Sequence, residues 1–207
     1  MSEELSFEQS LPQWIKDEQH EVIGPLDTIL LRNNTLAITR QGFTMYPQAF
    51  KSIDEFIRFN AGAFSHARNL SGGLIRVPMK YPELVLKQDN GGEAVNTLLT
   101  LSAIGNAVPS ETDKYKLQKT PLYWAFDQPN VSMIAMGRVE PLNAWDQNTH
   151  RRYIEARRSF MEEAQKAGFP VNPLPYQDLL YLGNTEVGKP IITLIDEADA
   201  DILAKIR

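Results

Sequence analysis

Two punctuated hairpins constrain this chain before any other feature does. In DTILLRNNTLAITR, Asp27 to Arg40, two apolar runs flank Asn33-Asn34. Asparagine tolerates the positive φ of a tight reversal, so the run reads as strand, turn, strand. The same grammar returns in LYWAFDQPNVSMIAMGRVE, where Leu122–Phe126 and Val131–Glu140 flank Asp127-Gln128-Pro129-Asn130. Strands joined this tightly must pair antiparallel. Between the hairpins, FTMYPQAF reads as extended chain bent at Pro47, and Leu74–Met79 and Glu83–Lys87 as strand pieces bent at Pro78 and Pro82. Val95–Ile104, rich in Thr and Leu, reads as a strand buried on both faces. Ile53, Phe56, Ile57 and Phe59 fit either strand or helix, and residues 60–73 read as loop.

After Pro141 the period changes. Tyr153, Ala156, Phe160, Ala164 and Ala167 recur at spacings of three and four, the stripe of an amphipathic helix from about Asn148 to Ala167, which Gly168 ends. Arg151–Glu155, Arg158–Glu162 and Glu162–Lys166 are spaced to pair on its outer face. A strand over Ile191–Ile195 and a short helix over Asp199–Ile206, capped by Asp196, close the chain. The predicted class is α+β: a β-rich, antiparallel two-sheet, sandwich-like core with one long helix and a short C-terminal helix. Residues 1–25 read as a peripheral segment, 26–142 as the β-rich core domain, and 143–207 as a helical extension with its closing strand and helix packed on that core.

The loudest chemical motif lies in this last part. Gly183, Gly188 and Lys189 fit the phosphate loop G-x-x-x-x-G-K, and Ile191–Asp199 resembles the apolar, acid-ended strand of many ATPases. A phosphate loop needs Ser or Thr after the lysine to reach Mg²⁺, followed by a helix whose N-terminus faces the phosphates. Here Pro190 follows, then a β-branched run. The acidic strand should also lie a crossover of a dozen or more residues away, and no such gap exists. The stretch is predicted to be a turn feeding a buried strand, and a nucleotide hydrolase is not expected.

Other chemistry is sparse. With no cysteine, disulfides, thiolate metal sites and a Cys nucleophile are excluded. The formal charge of -5 argues against a general nucleic-acid binder, though not against a local basic patch. Asp196, Glu197, Asp199 and Asp201 lack the spacing of a Ca²⁺ loop and read as solvated helix charge, so no metal and no cofactor is expected. His66, Arg68 and Ser71 share a glycine-rich segment, Ala61–Gly73, that reads either as a polar surface loop or as a ligand-lining one. Tyr123 and Trp124 alternate on a strand, so one of them is expected at the surface, where it would serve partner binding; core packing is the other reading. His150, Arg151, Arg152, Arg157 and Arg158 form the dense basic group, suited to a phosphate or acidic partner, or to a salt-bridged exposed face.

One resemblance adds to this. Leu26-Asp27, Leu31-Arg32, Ala37-Ile38, Tyr46-Pro47 and Phe50, together with the layout of the second hairpin, resemble a group of uncharacterised actinobacterial β-rich proteins, with Ala49 where that group has glycine. It covers less than a third of the chain and leaves the helical C-terminal third without a counterpart. It implies a β-sandwich-like sheet arrangement and no chemistry.

The function these observations favour is a non-catalytic interaction protein that meets another protein through surface aromatics and loops, with homo-oligomerisation left open. The alternative is a small hydrolase using His66, Arg68 and Ser71. The acidic N-terminus lacks the features of a signal peptide, and no apolar run approaches the roughly 20 residues of a membrane span, so a soluble cytoplasmic protein with no membrane partner is expected.

Overall fold

A computed structural model describes residues 7–207 apart from 72, 90, 143–145 and 175. Its strands are β1 (His20–Ile23), β2 (Thr28–Leu31), β3 (Leu36–Thr39), β4 (Arg68–Ser71), β5 (Ile75–Val77), β6 (Leu84–Gln88), β7 (Lys116–Leu117), β8 (Leu122–Gln128), β9 (Val131–Gly137), β10 (Leu179–Asn184) and β11 (Pro190–Leu194). Its helices are α1 (Gln13–Lys16), α2 (Arg40–Phe43), α3 (Ile53–Ser65), α4 (Ala94–Ala107), α5 (Gln147–Lys166) and α6 (Ile202–Ile206). The protein is α+β, with one long helix, α5, and a short C-terminal one. Contacts divide the chain into two compact units: Met1–Leu98 with Pro121–Arg138 and Leu203–Arg207, and Leu99–Thr120 with Val139–Ile202.

The first unit is built on an eight-stranded antiparallel sheet in the order β1-β2-β3-β8-β9-β6-β5-β4. The two sequence-legible hairpins meet at its centre, with Ala37 opposite Ala125. Their turns form as the residues dictate. Arg32, Asn33 and Asn34 all hold positive φ (50, 54 and 69°), and β8 turns into β9 through Pro129-Asn130 alone. Residues ahead of 26 supply the edge strand β1 and the buried Phe7, Leu11, Trp14 and Ile15. Trp124, Phe126, Ile29, Leu36, Ile38 and Phe56 share the same core.

Three stretches differ from the sequence reading. Val95–Ile104 is helix, within α4. Leu98, Leu99, Thr97 and Thr100 are all buried, and a helix buried nearly all round shows no 3.6-residue period to distinguish it from a buried strand. Its first turn is capped from far away in sequence: the Asp127 carboxylate accepts from Ala94 N (2.9 Å) and Val95 N (3.1 Å), and Ser132 Oγ donates to the same carboxylate. FTMYPQAF is not extended. Thr39 Oγ1 accepts from Gly42 N (2.9 Å) to start α2, and Pro47 opens a 3-10 turn, Pro47–Ala49. Ile53–Phe59 resolves to helix and carries on through Ser65, so much of the expected 60–73 loop is α3 and β4. Ser52 Oγ caps Glu55 N (3.2 Å), while Glu55 Oε2 accepts from Lys51 N (3.0 Å).

In the second unit, α5 starts where Asp146 Oδ1 accepts from Thr149 N (2.7 Å) and ends before Gly168, at φ 87°. Tyr153, Ala156, Phe160 and Ala164 are buried, as the stripe predicts. A three-stranded sheet, β10-β11-β7, pairs β10 with β11 antiparallel and β11 with β7 parallel. The closing helix starts at Ile202 rather than Asp199. Asp199, not Asp196, forms the lead-in turn, accepting from Asp201 N through Oδ1 (3.0 Å) and from Ile202 N through its carbonyl (3.1 Å).

Candidate interaction surface

The richest surface chemistry in the first unit is a chain of aromatic rings between α2, α3 and the turn after β5. Tyr46 is its hub. Its ring stacks on Tyr81 (5.1 Å, 18°) and meets Phe59 (5.5 Å), Phe50 (5.8 Å) and Trp124 (4.9 Å). Phe50 closes the set against Phe59 (5.3 Å) and Phe56 (5.3 Å). Trp124 and Phe56 are fully buried, Tyr46, Phe50 and Tyr81 are half-buried, and Phe59 is 40% exposed. The set therefore runs from core to solvent.

A single buried amide fixes this arrangement. Asn60 Oδ1 accepts from Tyr46 Oη (2.9 Å) and Trp124 Nε1 (3.2 Å), and its Nδ2 donates to the Phe56 carbonyl (2.8 Å). Burial, the larger effect, and the neighbouring Tyr81 hold the Tyr46 phenol far above its ordinary pKa. It is a neutral donor at any physiological pH. What reaches solvent is ring face and ring edge held in one conformation, the kind of surface that anchors a partner at little entropic cost.

The residues singled out in the sequence lie as follows. Tyr123 and Trp124 do not split between core and surface; both are buried, with rings 6.0 Å apart. The ladder shifts register between Leu122 and Trp124, and such a bulge breaks the two-residue alternation on which the expectation rested. His66 ends α3, exposed, with Nδ1 donating back to the Gly62 carbonyl (2.9 Å). Arg68 is exposed on β4, the far edge of the large sheet; the Ser71 backbone pairs with Ile75, and its side chain lies outside what is described. The hydrolytic reading gains no support from this placement. On α5, Arg151 donates to Asn148 Oδ1 (3.1 Å) and Arg152 to the Gly188 carbonyl (2.9 Å), while Lys166 bridges to Glu163 rather than to the expected Glu162.

The phosphate-loop motif is a β-hairpin turn. Thr185 N donates to the Lys189 carbonyl (2.8 Å), Gly188 N to the Thr185 carbonyl (2.8 Å) and Lys189 N to Thr185 Oγ1 (3.1 Å). Those three amides are spent within the turn, whereas a phosphate cradle needs them pointing outward. Lys189 Nζ lies 2.6 Å from Glu111 Oε1. Among the described residues no group of three or more His, Cys, Asp or Glu side chains is placed to hold a metal ion, and no helix is long and apolar enough to cross a membrane.

Sequence reasoning missed the aromatic surface because it took Tyr46 and Phe50 for strand residues. The helical spacing of Phe56, Phe59 and Asn60 downstream of a Ser-x-x-Glu cap was the available signal. No protein-family profile, curated protein or solved structure matches the chain.

Proposed function

We propose that this is a non-catalytic interaction protein of the cytoplasm that holds another protein against the Tyr46, Phe50, Phe59 and Tyr81 surface. The observation that carries this reading is the ring chain itself: solvent-facing aromatics anchored by Asn60 to buried Trp124. Aromatic side chains fixed in advance lose little freedom on binding, and such residues dominate interface energetics. A second copy of the chain is one form the partner can take.

The test is a photo-reactive phenylalanine analogue at position 59, with a second one at Val187, 85% exposed in the other unit, as the control site. Irradiation in cells is expected to give discrete adducts from position 59 that disappear when Phe50 and Tyr81 are changed to serine. Adducts that survive those changes, or that form equally from position 187, would sink the proposal.

A further inference from the structure

The aromatic surface sits in a basic stretch of an acidic chain. From Asp27 to Glu83 the sequence holds seven Lys or Arg (Arg32, Arg40, Lys51, Arg58, Arg68, Arg76, Lys80) and four acids, Asp27, Asp54, Glu55 and Glu83, a formal +3 where the whole chain carries -5. Three of those cations are committed to the fold. Arg32 pairs with Asp54 (2.8 Å) and Arg40 with Asp27 (3.0 Å). Arg76 staples β5 to the end of α3, lying over the Phe64 ring (4.1 Å) and donating to the Phe64 carbonyl (2.9 Å).

The other four, Lys51, Arg58, Arg68 and Lys80, are exposed and form no salt bridge among the described residues. Three of them are chain neighbours of the surface aromatics: Lys51 follows Phe50, Arg58 precedes Phe59, and Lys80 precedes Tyr81. Arg58 and Phe59 line one open depression with Ser52 and Glu55. Of the four acids, Asp54 faces Arg32 and Asp27 faces Arg40, Glu55 accepts the Lys51 amide and keeps its charge, and Glu83 is exposed. Exposed aromatic rings whose chain neighbours carry more unpaired cations than acids attract a ligand that is apolar at its centre and negative around it.

We infer that the partner segment is acidic, a stretch of another protein in which Asp or Glu is spaced by apolar side chains. Its apolar residues cover Phe59 and the Tyr46–Tyr81 stack, and its carboxylates face Lys51, Arg58 and Lys80. The inference rests on the reading of the aromatic surface as a partner site and adds the chemistry of what binds there. A protein segment is favoured over an anionic bilayer because Tyr46, Phe50 and Tyr81 are half-buried and Asn60 holds Tyr46 in place, whereas insertion among headgroups requires projecting rings.

Fluorescence anisotropy on the full chain tests this. The probe is a labelled synthetic peptide of glutamates spaced by leucine and phenylalanine, compared with a version carrying lysine for glutamate and with phosphatidylcholine vesicles with and without phosphatidylserine. The glutamate peptide is expected to bind and the lysine peptide not to. Affinity should fall about tenfold in a Lys51→Glu, Arg58→Glu, Lys80→Glu variant, and the affinity of the parent should fall as salt rises. Equal binding of both peptides, binding to phosphatidylserine vesicles alone, or binding to none of the probes overturns the inference. If the glutamate peptide binds a Phe59→Ala, Tyr81→Ala variant as well as the parent, the aromatic reading fails and the charge reading stands.

Discussion

Gly42 lies so close beneath the backbone carbonyl of Tyr123 that a Cβ at position 42 would overlap the carbonyl oxygen. Thr39 locks the same junction. Its Oγ1 donates to the Leu122 carbonyl (2.6 Å), lies 3.1 Å from the Tyr123 carbonyl, and accepts from Gly42 N. A helix start is thus bonded directly to the bulge of a central strand. Backbone cannot retreat as a side chain can, so Gly42→Ala is expected to cost about 3 kcal/mol by urea denaturation. Gly62→Ala is the matched control: nothing lies within 4 Å of the added methyl, and α3 should gain about 0.5–1 kcal/mol. Equal effects of the two changes would contradict the close approach.

Asn60 supports both the core and the proposed binding surface. Asn60→Leu removes the acceptor shared by Tyr46 and Trp124 and should cost about 2–3 kcal/mol, with Tyr46→Phe costing less because the amide then keeps Trp124. The alkaline limb follows from the raised Tyr46 pKa. Its stabilising effect is complete below the ordinary phenol pKa and is lost as pH rises toward the higher folded value. Burial also raises the pKa of Tyr115, Tyr123, Tyr153 and Tyr181, so in an ultraviolet titration several tyrosines should ionise late, and the late step should lose one tyrosine's amplitude in Tyr46→Phe.

Glu197, in the second unit, is disfavoured as a carboxylate. Burial first, then the negative charge of Asp178, raises its carboxyl pKa, with Asp196 and Asp199 adding to the effect. The folded form holds its proton more tightly than the unfolded chain does. Stability from this group is fully present below the unfolded pKa and is lost as pH rises through the folded one. Glu197→Gln should raise Tm at pH 7 and leave it unchanged near pH 3; a gain of equal size at both would show that charge is not the cause.

Lys189 offers the reverse case. Its hydrogen bond, then its charge, hold the Glu111 carboxyl below the usual range, so this pair contributes above the unfolded carboxylate pKa and fades as pH falls through the folded one. Lys189→Met should lower Tm slightly at pH 7 in dilute buffer and not in high salt. Magnesium with ATP or GTP should leave the Tm of the parent unchanged, since the Thr185, Gly188 and Lys189 amides are already bonded. A nucleotide-dependent rise abolished by Lys189→Met would reverse that conclusion.

The sequence was most readable where a local rule had no competitor. Asn33-Asn34 and Pro129-Asn130 marked their turns, and the Tyr153–Ala164 stripe marked α5, because each signal lies within a few residues. Val95–Ile104 misled because a helix buried on nearly every side shows no period, and its cap comes from Asp127. For Tyr123 and Trp124 the core-packing reading holds and the surface reading fails, because one bulge residue reverses the inference about facing. The aromatic surface was hidden for a related reason. Its members lie at the ends of a 3-10 turn, in a helix and in a loop, and their ring contacts appear only once the chain is folded.

The order of the large sheet has a consequence for how the chain is made. Its central hairpin, β8–β9, enters between β3 and β6, and the unit containing that sheet also takes in Leu203–Arg207, where Arg207 forks onto Glu21 at 2.8 and 2.5 Å. β1–β3 and β4–β6 are synthesised before β8 and β9, so an edge of each set has no partner strand until that hairpin is made. Non-local pairing of this kind is slow. Until Gly137 has emerged, the nascent chain is at its most exposed to association with other chains.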